Sequence, residues 1–328
     1  MVAGISVVIP NYNGIELFPQ TLPTVMEALV RCNRPYEVII ADDCSTDASV
    51  EWLQTYYPAI IIVQNQRNSG FSVTANNGIA RAQYDKVLLL NSDVQLTPDY
   101  FAGQYKYFDK QDTFGVMGRS IGWTDDITQD AAKLPGFHGA KIKTSGSYLL
   151  KDPAQMKNGL LTMYLSGANA FIDREKFMLI GRLDEIFSPF YVEDFELSLR
   201  AWRLGFTCYY DYDSVCRHKI SVSIESANRK KYVDTIYDRN KMIMHALHLE
   251  GLRKFLWYCQ LLPETLIRIF SGRWYYLRSL RLFLGSVSAI RASRAAFEKV
   301  ANLTHTRRSV QQVTRLILDS IPAGALKW

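Results

Sequence analysis

An α/β fold on a mostly parallel sheet is predicted by three observations on the first hundred of the 328 residues. Short runs of β-branched and aliphatic residues recur there, segments with helical spacing separate them, and polar residues gather just past the end of each run. The apolar runs are 5–9, 38–41, 60–63 and 87–90, unalternating as strands buried on both faces are. Helical character lies between them at 17–31, 46–55 and 69–82, and Thr97-Pro98 has the form of a fourth helix start. Strand and helix alternating in this way call for right-handed crossovers between parallel strands.

The polar clusters at the strand ends are Asn11-Tyr12-Asn13, Asp42-Asp43, Asn65 with Asn68, and Asn91-Ser92-Asp93. In an open parallel sheet the ligand crevice lies outside the carboxyl ends of the strands, so four stretches of chain converge on one cleft. Neither G-x-G-x-x-G nor G-x-x-x-x-G-K-[ST] occurs, and the first turn is Pro10-Asn11-Tyr12-Asn13-Gly14. A diphosphate bound here is therefore expected to be neutralised by a cation and not by a glycine-rich nest of amides.

Each carboxylate has a plain reading and a chemical one. Asp42 and Asp43 can simply begin a turn. An ionised carboxylate is also acceptor-only, which suits the imide N–H of a uracil or thymine ring, with Tyr12 offering an aromatic face. Asn91 and Asp93 alternate along an extended segment, so both can face one hard divalent cation while Ser92 turns away, toward the nucleotide. Glu193 and Asp194 open a helix that residues 195, 199 and 202 bury and Gly205 ends; there they can serve the helix dipole. Asp194, exposed at a rigid helix start, can also accept a proton from an acceptor hydroxyl, with Glu193 beside it on the sugar side. His218 comes after a strand over 209–215 and is either structural or a neutral imidazole completing the metal shell.

With those residues in place, the sequence resembles the inverting glycosyltransferases of family 2, which have the GT-A fold, and within them the bacterial rhamnosyltransferase-like group. The resemblance spans about residues 4–220 and rests on VVIPNYNG, VIIADDCSTDAS, NQRNSGFSVTANNGI, LLLNSDVQL, SGANAFIDREKFMLIGRLDE, YVEDFELSLRAWRLGF and VCRHK, in that order. It implies that Pro10, Tyr12, Asp42 and Asp43 line the nucleoside pocket, with Asp43 as the base-pairing carboxylate. Asn68 and Asn77 fall in the family's N-x-G and A-N-x-G patterns near the nucleotide. Asp93 matches the metal-binding aspartate that ends D-x-D, Asp194 the catalytic base, and His218 a histidine of the metal shell. Gly167 and Ala168 match the stretch that shapes the sugar and acceptor side. Asn91 stands where D-x-D has its first aspartate, which loosens the requirement for Mg²⁺ or Mn²⁺. Phe270 stands where a processive synthase has the glutamine of Q-x-x-R-W, which excludes processivity.

The implied reaction is one direct displacement: a sugar passes from a nucleoside-diphosphate donor, dTDP-rhamnose or a UDP-sugar, to a hydroxyl of a glycan or lipid-linked acceptor. A sugar-1-phosphate nucleotidyltransferase would need a basic, glycine-rich first loop, which Glu16 after Asn13-Gly14 does not supply. A catalytically silent nucleotide-sugar scaffold at the membrane would have no need of Asp93 and Asp194.

Composition separates the catalytic region from the C-terminal third of the chain. With 48% hydrophobic and 21% charged residues the chain can bury a large core, which excludes disorder. Five cysteines, an odd number without a C-x-x-C pair, fit a reducing compartment, and the apolar run at 5–9 is too short for a secretory signal. Residues 1–216 hold 18 Lys+Arg against 25 Asp+Glu, whereas residues 217–328 hold 20 against 7. The expected organisation is a catalytic domain over 1–220, with a nucleotide-binding half at 1–100 and an acceptor-binding half at 101–220, and a helical, basic, aromatic extension over 221–328. Residues 119–162 read as a loop or insertion over the acceptor site. In the extension no apolar run reaches the ~20 residues of a spanning helix. Leu277, Leu280, Leu284, Val287 and Ile290, with Arg278, Arg281 and Arg291 nearby, suit a helix at the headgroup level of an anionic membrane or one packed on the catalytic domain or a second copy. A cytoplasmic protein peripheral to the inner face of the plasma membrane is expected, and nucleic acid is not.

Overall fold

A computed structural model describes residues 2–219 and 227–327. The expected boundary between 220 and 221 lies outside the described residues. The first half runs β1 (Val2–Asn11), α1 (Phe18–Cys32), β2 (Tyr36–Asp42), α2 (Ser49–Tyr56), β3 (Ile61–Gln64), α3 (Phe71–Arg81), β4 (Tyr84–Leu90) and β5 (Val94–Leu96). The second half adds β6 (Thr113–Gly122), β7 (Thr128–Asp130), β8 (Lys133–His138), β9 (Lys141–Ser147), β10 (Leu149–Leu150), α4 (Pro153–Met156), β11 (Leu160–Leu161), β12 (Asn169–Asp173), α5 (Arg174–Leu179), α6 (Glu193–Arg203) and β13 (Thr207–His218). Five helices come next, α7 (Ala227–His248), α8 (Gly251–Phe270), α9 (Tyr275–Gly285), α10 (Val287–Leu303) and α11 (Val310–Asp319), before the short β14 (Leu326–Lys327).

One large sheet has the order β11-β13-β6-β12-β4-β1-β2-β3, with β5 and β7 attached at its side. Its N-terminal part, β3-β2-β1-β4, is parallel throughout. Strand β12 enters antiparallel between β4 and β6 and so sews the two halves into a single sheet. The apolar runs are strands because both faces are covered: Val7, Val8, Ile39, Ile40, Leu88 and Leu90 are fully buried, alternating between two cores. Helix α3 lies close on β1 and β2 because position 78 has no side chain; a Cβ there would stand 2.5 Å from Val8 Cγ1 and 3.0 Å from Ala41 Cβ.

Three expectations change. Thr97-Pro98 starts turns that lead into a short 3₁₀ helix, Tyr105–Asp109, and no α-helix forms there. Residues 119–162 form short strands together with α4, and β8 and β9 pair as an antiparallel ribbon. In α9 the packed face is Tyr276, Ser279 and Phe283, while Leu277, Leu284 and Val287 of the predicted stripe are exposed and Ile290 is buried.

Candidate active site

Strand register assembles the nucleotide side. Pairing of β1 with β2 sets Asn11 beside Asp42, and the Asp43 amide donates to the Asn11 carbonyl at 2.8 Å. The buried Asp42 carboxylate accepts from Asn11 Nδ2 at 2.9 Å, the Ser45 amide at 3.0 Å and the Ser45 hydroxyl, three bonds that hold the turn together. Asp43, 5% exposed, accepts from Asn65 Nδ2 and the Ser69 amide, both at 2.8 Å, and from the Gly70 amide at 2.9 Å. A carboxylate has about four lone-pair sites, so roughly one is left for a ligand. Pro10 is half-buried behind Tyr12, which is 52% exposed and keeps its ring free for stacking.

The asparagines divide differently from the sequence expectation. Asn68 is exposed, and Asn77, also exposed, donates to Asn65 Oδ1 at 2.7 Å. The asparagine of the A-N-x-G string is Asn76: it is buried, donates to the Leu183 carbonyl at 2.9 Å and Glu185 Oε1 at 3.1 Å, and accepts from the Leu183 amide at 3.1 Å. It fastens α3 to the loop that leads into α6. Two adjacent asparagines do not reveal which faces inward until the helix phase is known.

The metal side forms where β5 pairs antiparallel with β13 in the register Val94↔His218. That pairing brings His218 Nε2 to 3.3 Å from Asp93 Oδ1 across 125 positions of chain. Burial disfavours the charged His218, but the hydrogen bond and charge of Asp93, and Asp130 beyond it, outweigh this and raise its pKa above the ordinary value. One carboxylate and one imidazole on a partly open surface fit a hard or borderline divalent ion that takes its remaining ligands from substrate phosphates and water. Among the described residues no group of three or more His, Cys, Asp or Glu side chains forms a self-sufficient cage. Ser92 sits half-buried between Asn91 and Asp93.

The acceptor side is the start of α6. Tyr191 and Val192 enter it at φ 73° and 77°, left-handed values that a β-branched valine rarely adopts, and this strained entry aims Glu193 and Asp194. Asp194 Oδ2 accepts from the Gly167 amide at 3.2 Å and Oδ1 from the Phe195 amide at 2.7 Å. Burial raises its pKa; the two amides pull it back in part, Asp130 pushes it further, and the result lies above the usual aspartate value. Glu193 is buried, its Oε2 has no hydrogen-bond partner among the described residues, and burial together with the Asp194 charge drives its pKa up as well. Behind the site, Glu196 is pulled down to about 2: burial alone would raise it, but the Arg200 guanidinium and the His248 imidazole overcome that. Arg200 Nη2 donates to Glu196 at 2.7 Å and His248 Nε2 lies 3.1 Å away, tying α6 to α7.

Short links join the three sides. Gly70, whose amide holds Asp43, precedes Phe71, whose amide donates to the Pro189 carbonyl at 2.8 Å. A Cβ placed on Gly167 would lie 3.5 Å from the Phe71 ring and 3.6 Å from Asp194 Cβ. Ala168 in turn accepts from the Asn91 amide at 3.1 Å. Asp43, Asp93 with His218, and Asp194 with Gly167 and Ala168 are thus joined by short contacts near the carboxyl ends of the strands. Asp130, which no motif announced, is within electrostatic reach of both Asp194 and His218.

The mostly parallel sheet flanked by helices has the GT-A fold of glycosyltransferases. The chain belongs to glycosyl transferase family 2, whose family model matches residues 6–180. It is 31% identical over 137 residues to TuaG of Bacillus subtilis (strain 168), a glycosyltransferase named for teichuronic acid biosynthesis, a match covering 40% of this chain and 51% of that protein. The chain thus spans about half the length of that relative. It is 32% identical over 99 residues, 29% of each chain, to an undecaprenyl-phosphate 4-deoxy-4-formamido-L-arabinose transferase of Pseudomonas aeruginosa (strain LESB58). In fold it is similar to the crystal structure of GalNAc-T7 with UDP, GalNAc and Mn²⁺, with a TM-score of 0.67 at 14% identity over 99% of this chain and 58% of that one. It is also similar to the mannosyltransferase PcManGT from Pyrobaculum calidifontis in complex with GDP-Man and Mn²⁺, with a TM-score of 0.53 at 14% identity over 97% and 88%.

Proposed function

We propose that this glycosyltransferase moves a sugar, with inversion, from dTDP-rhamnose or a UDP-sugar to a hydroxyl of a glycan or lipid-linked acceptor in cell-surface polysaccharide synthesis. The observation that carries the reading is Asp194, fixed by the Gly167 amide in a half-buried recess that makes it a stronger base than a solvated aspartate. An acceptor hydroxyl bonded to Asp194 loses its proton there as its oxygen attacks the anomeric carbon. The bond from that carbon to the diphosphate oxygen breaks in the same displacement, which inverts the centre and needs no covalent intermediate. Asp93 and His218 would hold a divalent cation, Mg²⁺ or Mn²⁺, which when bound supplies positive charge for the departing diphosphate. Tyr12 stacks on the base, the remaining lone pair of Asp43 reads its imide, and Ser92, Asn68 and Asn77 border the nucleotide. Residues 1–220 form the catalytic unit. Replacement of Asp194 by Asn tests the assignment: transfer should vanish while donor binding persists, and a fully active variant would overturn it.

The same reading places the protein at the inner face of the plasma membrane. Among the described residues no helix is long and apolar enough to cross a membrane. Helix α8 nevertheless turns Leu252, Phe255, Leu262, Leu266 and the 87%-exposed Phe270 outward, continued by Trp274. Arg273, Arg278 and Arg281 are exposed alongside, as an amphipathic helix resting on anionic lipid requires.

A further inference from the structure

A recess of about 220 Å³ between β9, α7 and α8 has no part in the chemistry so far. Three periodicities build it. Alternation along β9 buries Ile142 and sends Lys141 and Lys143 to the other face. Asp238, Lys241 and His245 share a face of α7, and Trp257, Leu261, Glu264 and Arg268 a face of α8.

The charges in this recess do not cancel. Lys141 pairs with Glu264, and Arg268 pairs with Asp238 at 2.8 Å and Glu264 at 3.3 Å. Lys143 and Lys241 remain: within 4 Å of either ammonium there is no carboxylate among the described residues, and Lys241 Nζ lies over the Tyr237 ring, 4.5 Å from its centre. The Lys241 charge, followed by burial, lowers the pKa of Lys143. Burial chiefly lowers that of Lys241, with Lys141 and Arg268 adding to the effect against Asp238 and Glu264. His245 is pushed down to about 4 by burial and is neutral. Two neighbouring ammoniums in a half-buried hollow repel each other, and an anion between them converts that repulsion into attraction.

Tyr237 links the recess to the proposed base. Tyr237 lies within electrostatic reach of both Lys143 and Asp194, and its ring meets Tyr191, at the strained entry to α6, with centroids 6.0 Å apart. We infer that Lys143 and Lys241 bind a phosphate or diphosphate group of the acceptor, so that the sugar it bears is presented to Asp194. Lysine suits this task as a mobile point charge with three donors. The inference rests on the glycosyltransferase reading and specifies its acceptor: a saccharide esterified to phosphate. That group can belong to a polyprenyl diphosphate, whose chain would run along the apolar outer face of α8, or to a water-soluble polyol phosphate.

The test is calorimetric titration of inorganic diphosphate into the full-length protein without divalent metal. The wild type should bind, and K143Q/K241Q should bind at least about tenfold more weakly. The single variant K143Q, altering an exposed strand residue, should show an intermediate loss with an unchanged melting temperature. Equal affinity in all three proteins overturns the inference. Thermal shift with nucleotide sugars and Mn²⁺ runs in parallel. Lysine-dependent diphosphate binding without any donor binding would sink the glycosyltransferase mechanism and leave the anion site; donor binding with lysine-independent diphosphate binding would sink the anion site alone. Phosphatidylcholine vesicles with and without a polyprenyl diphosphate, set against glycerol 3-phosphate in solution, identify the source: lysine-dependent retention on the doped vesicles assigns the lipid, and lysine-dependent binding of glycerol 3-phosphate assigns the soluble ester.

Discussion

The amide of Gly167 donates to Asp194 Oδ2 over 3.2 Å, and the next residue, Ala168, accepts from Asn91 at the head of the metal-side turn. A single dipeptide thus ties the proposed base to the turn that carries Asp93, although Asp93 and Asp194 lie 101 positions apart in sequence.

Asp194→Asn keeps the shape and removes the base. Transfer should fall by about 10²–10⁴-fold, with the donor dissociation constant little changed, as initial rates and calorimetry will show. The wild-type pH profile carries a second signature. Asp194 must be ionised to act, and its pKa is raised, so activity should be lost, as pH falls, at a higher pH than an ordinary aspartate gives.

Asp93→Ala should weaken donor binding when Mn²⁺ or Mg²⁺ is present and make little difference in chelator. Calorimetric titration of UDP or dTDP under both conditions checks it. An equal loss with and without metal would mean that Asp93 acts by some other route.

Glu196→Gln leaves the buried Arg200 without the carboxylate it pairs with. Removing one member of such a pair costs about 3–5 kcal/mol, readable by denaturant unfolding. The pH dependence has a definite sign: Glu196 is depressed in the folded state to about 2, so its contribution is complete above the unfolded value of about 4.3 and disappears as pH falls toward 2.

Replacing Arg273, Arg278 and Arg281 together by Glu should reduce co-sedimentation with anionic vesicles, and added salt should reduce that of the wild type. Unchanged sedimentation of the triple variant would remove the membrane assignment.

The parallel half of the sheet was legible because its strands are apolar on both faces; 38–41 and 87–90 fall inside β2 and β4. The β8–β9 ribbon was not, since Lys141-Ile142-Lys143-Thr144-Ser145 has one apolar residue in five and owes its order to pairing. Carboxylates at strand ends were visible as a group, but not their partners: Asp42 accepts from Ser45 and Asn11, which only the register of β1 on β2 reveals. Asp130 had no motif around it, and its nearness to Asp194 and His218 comes from β7 pairing with β6.

Helix α8 looks two ways, greasy outward and charged inward. A helix with its side chains is about 10–12 Å across. If lipid meets one side and the acceptor phosphate the other, the helix acts as a spacer of fixed thickness. Sugar addition would then be confined to a thin layer above the bilayer, favouring saccharides still short enough to keep their growing end near their anchor.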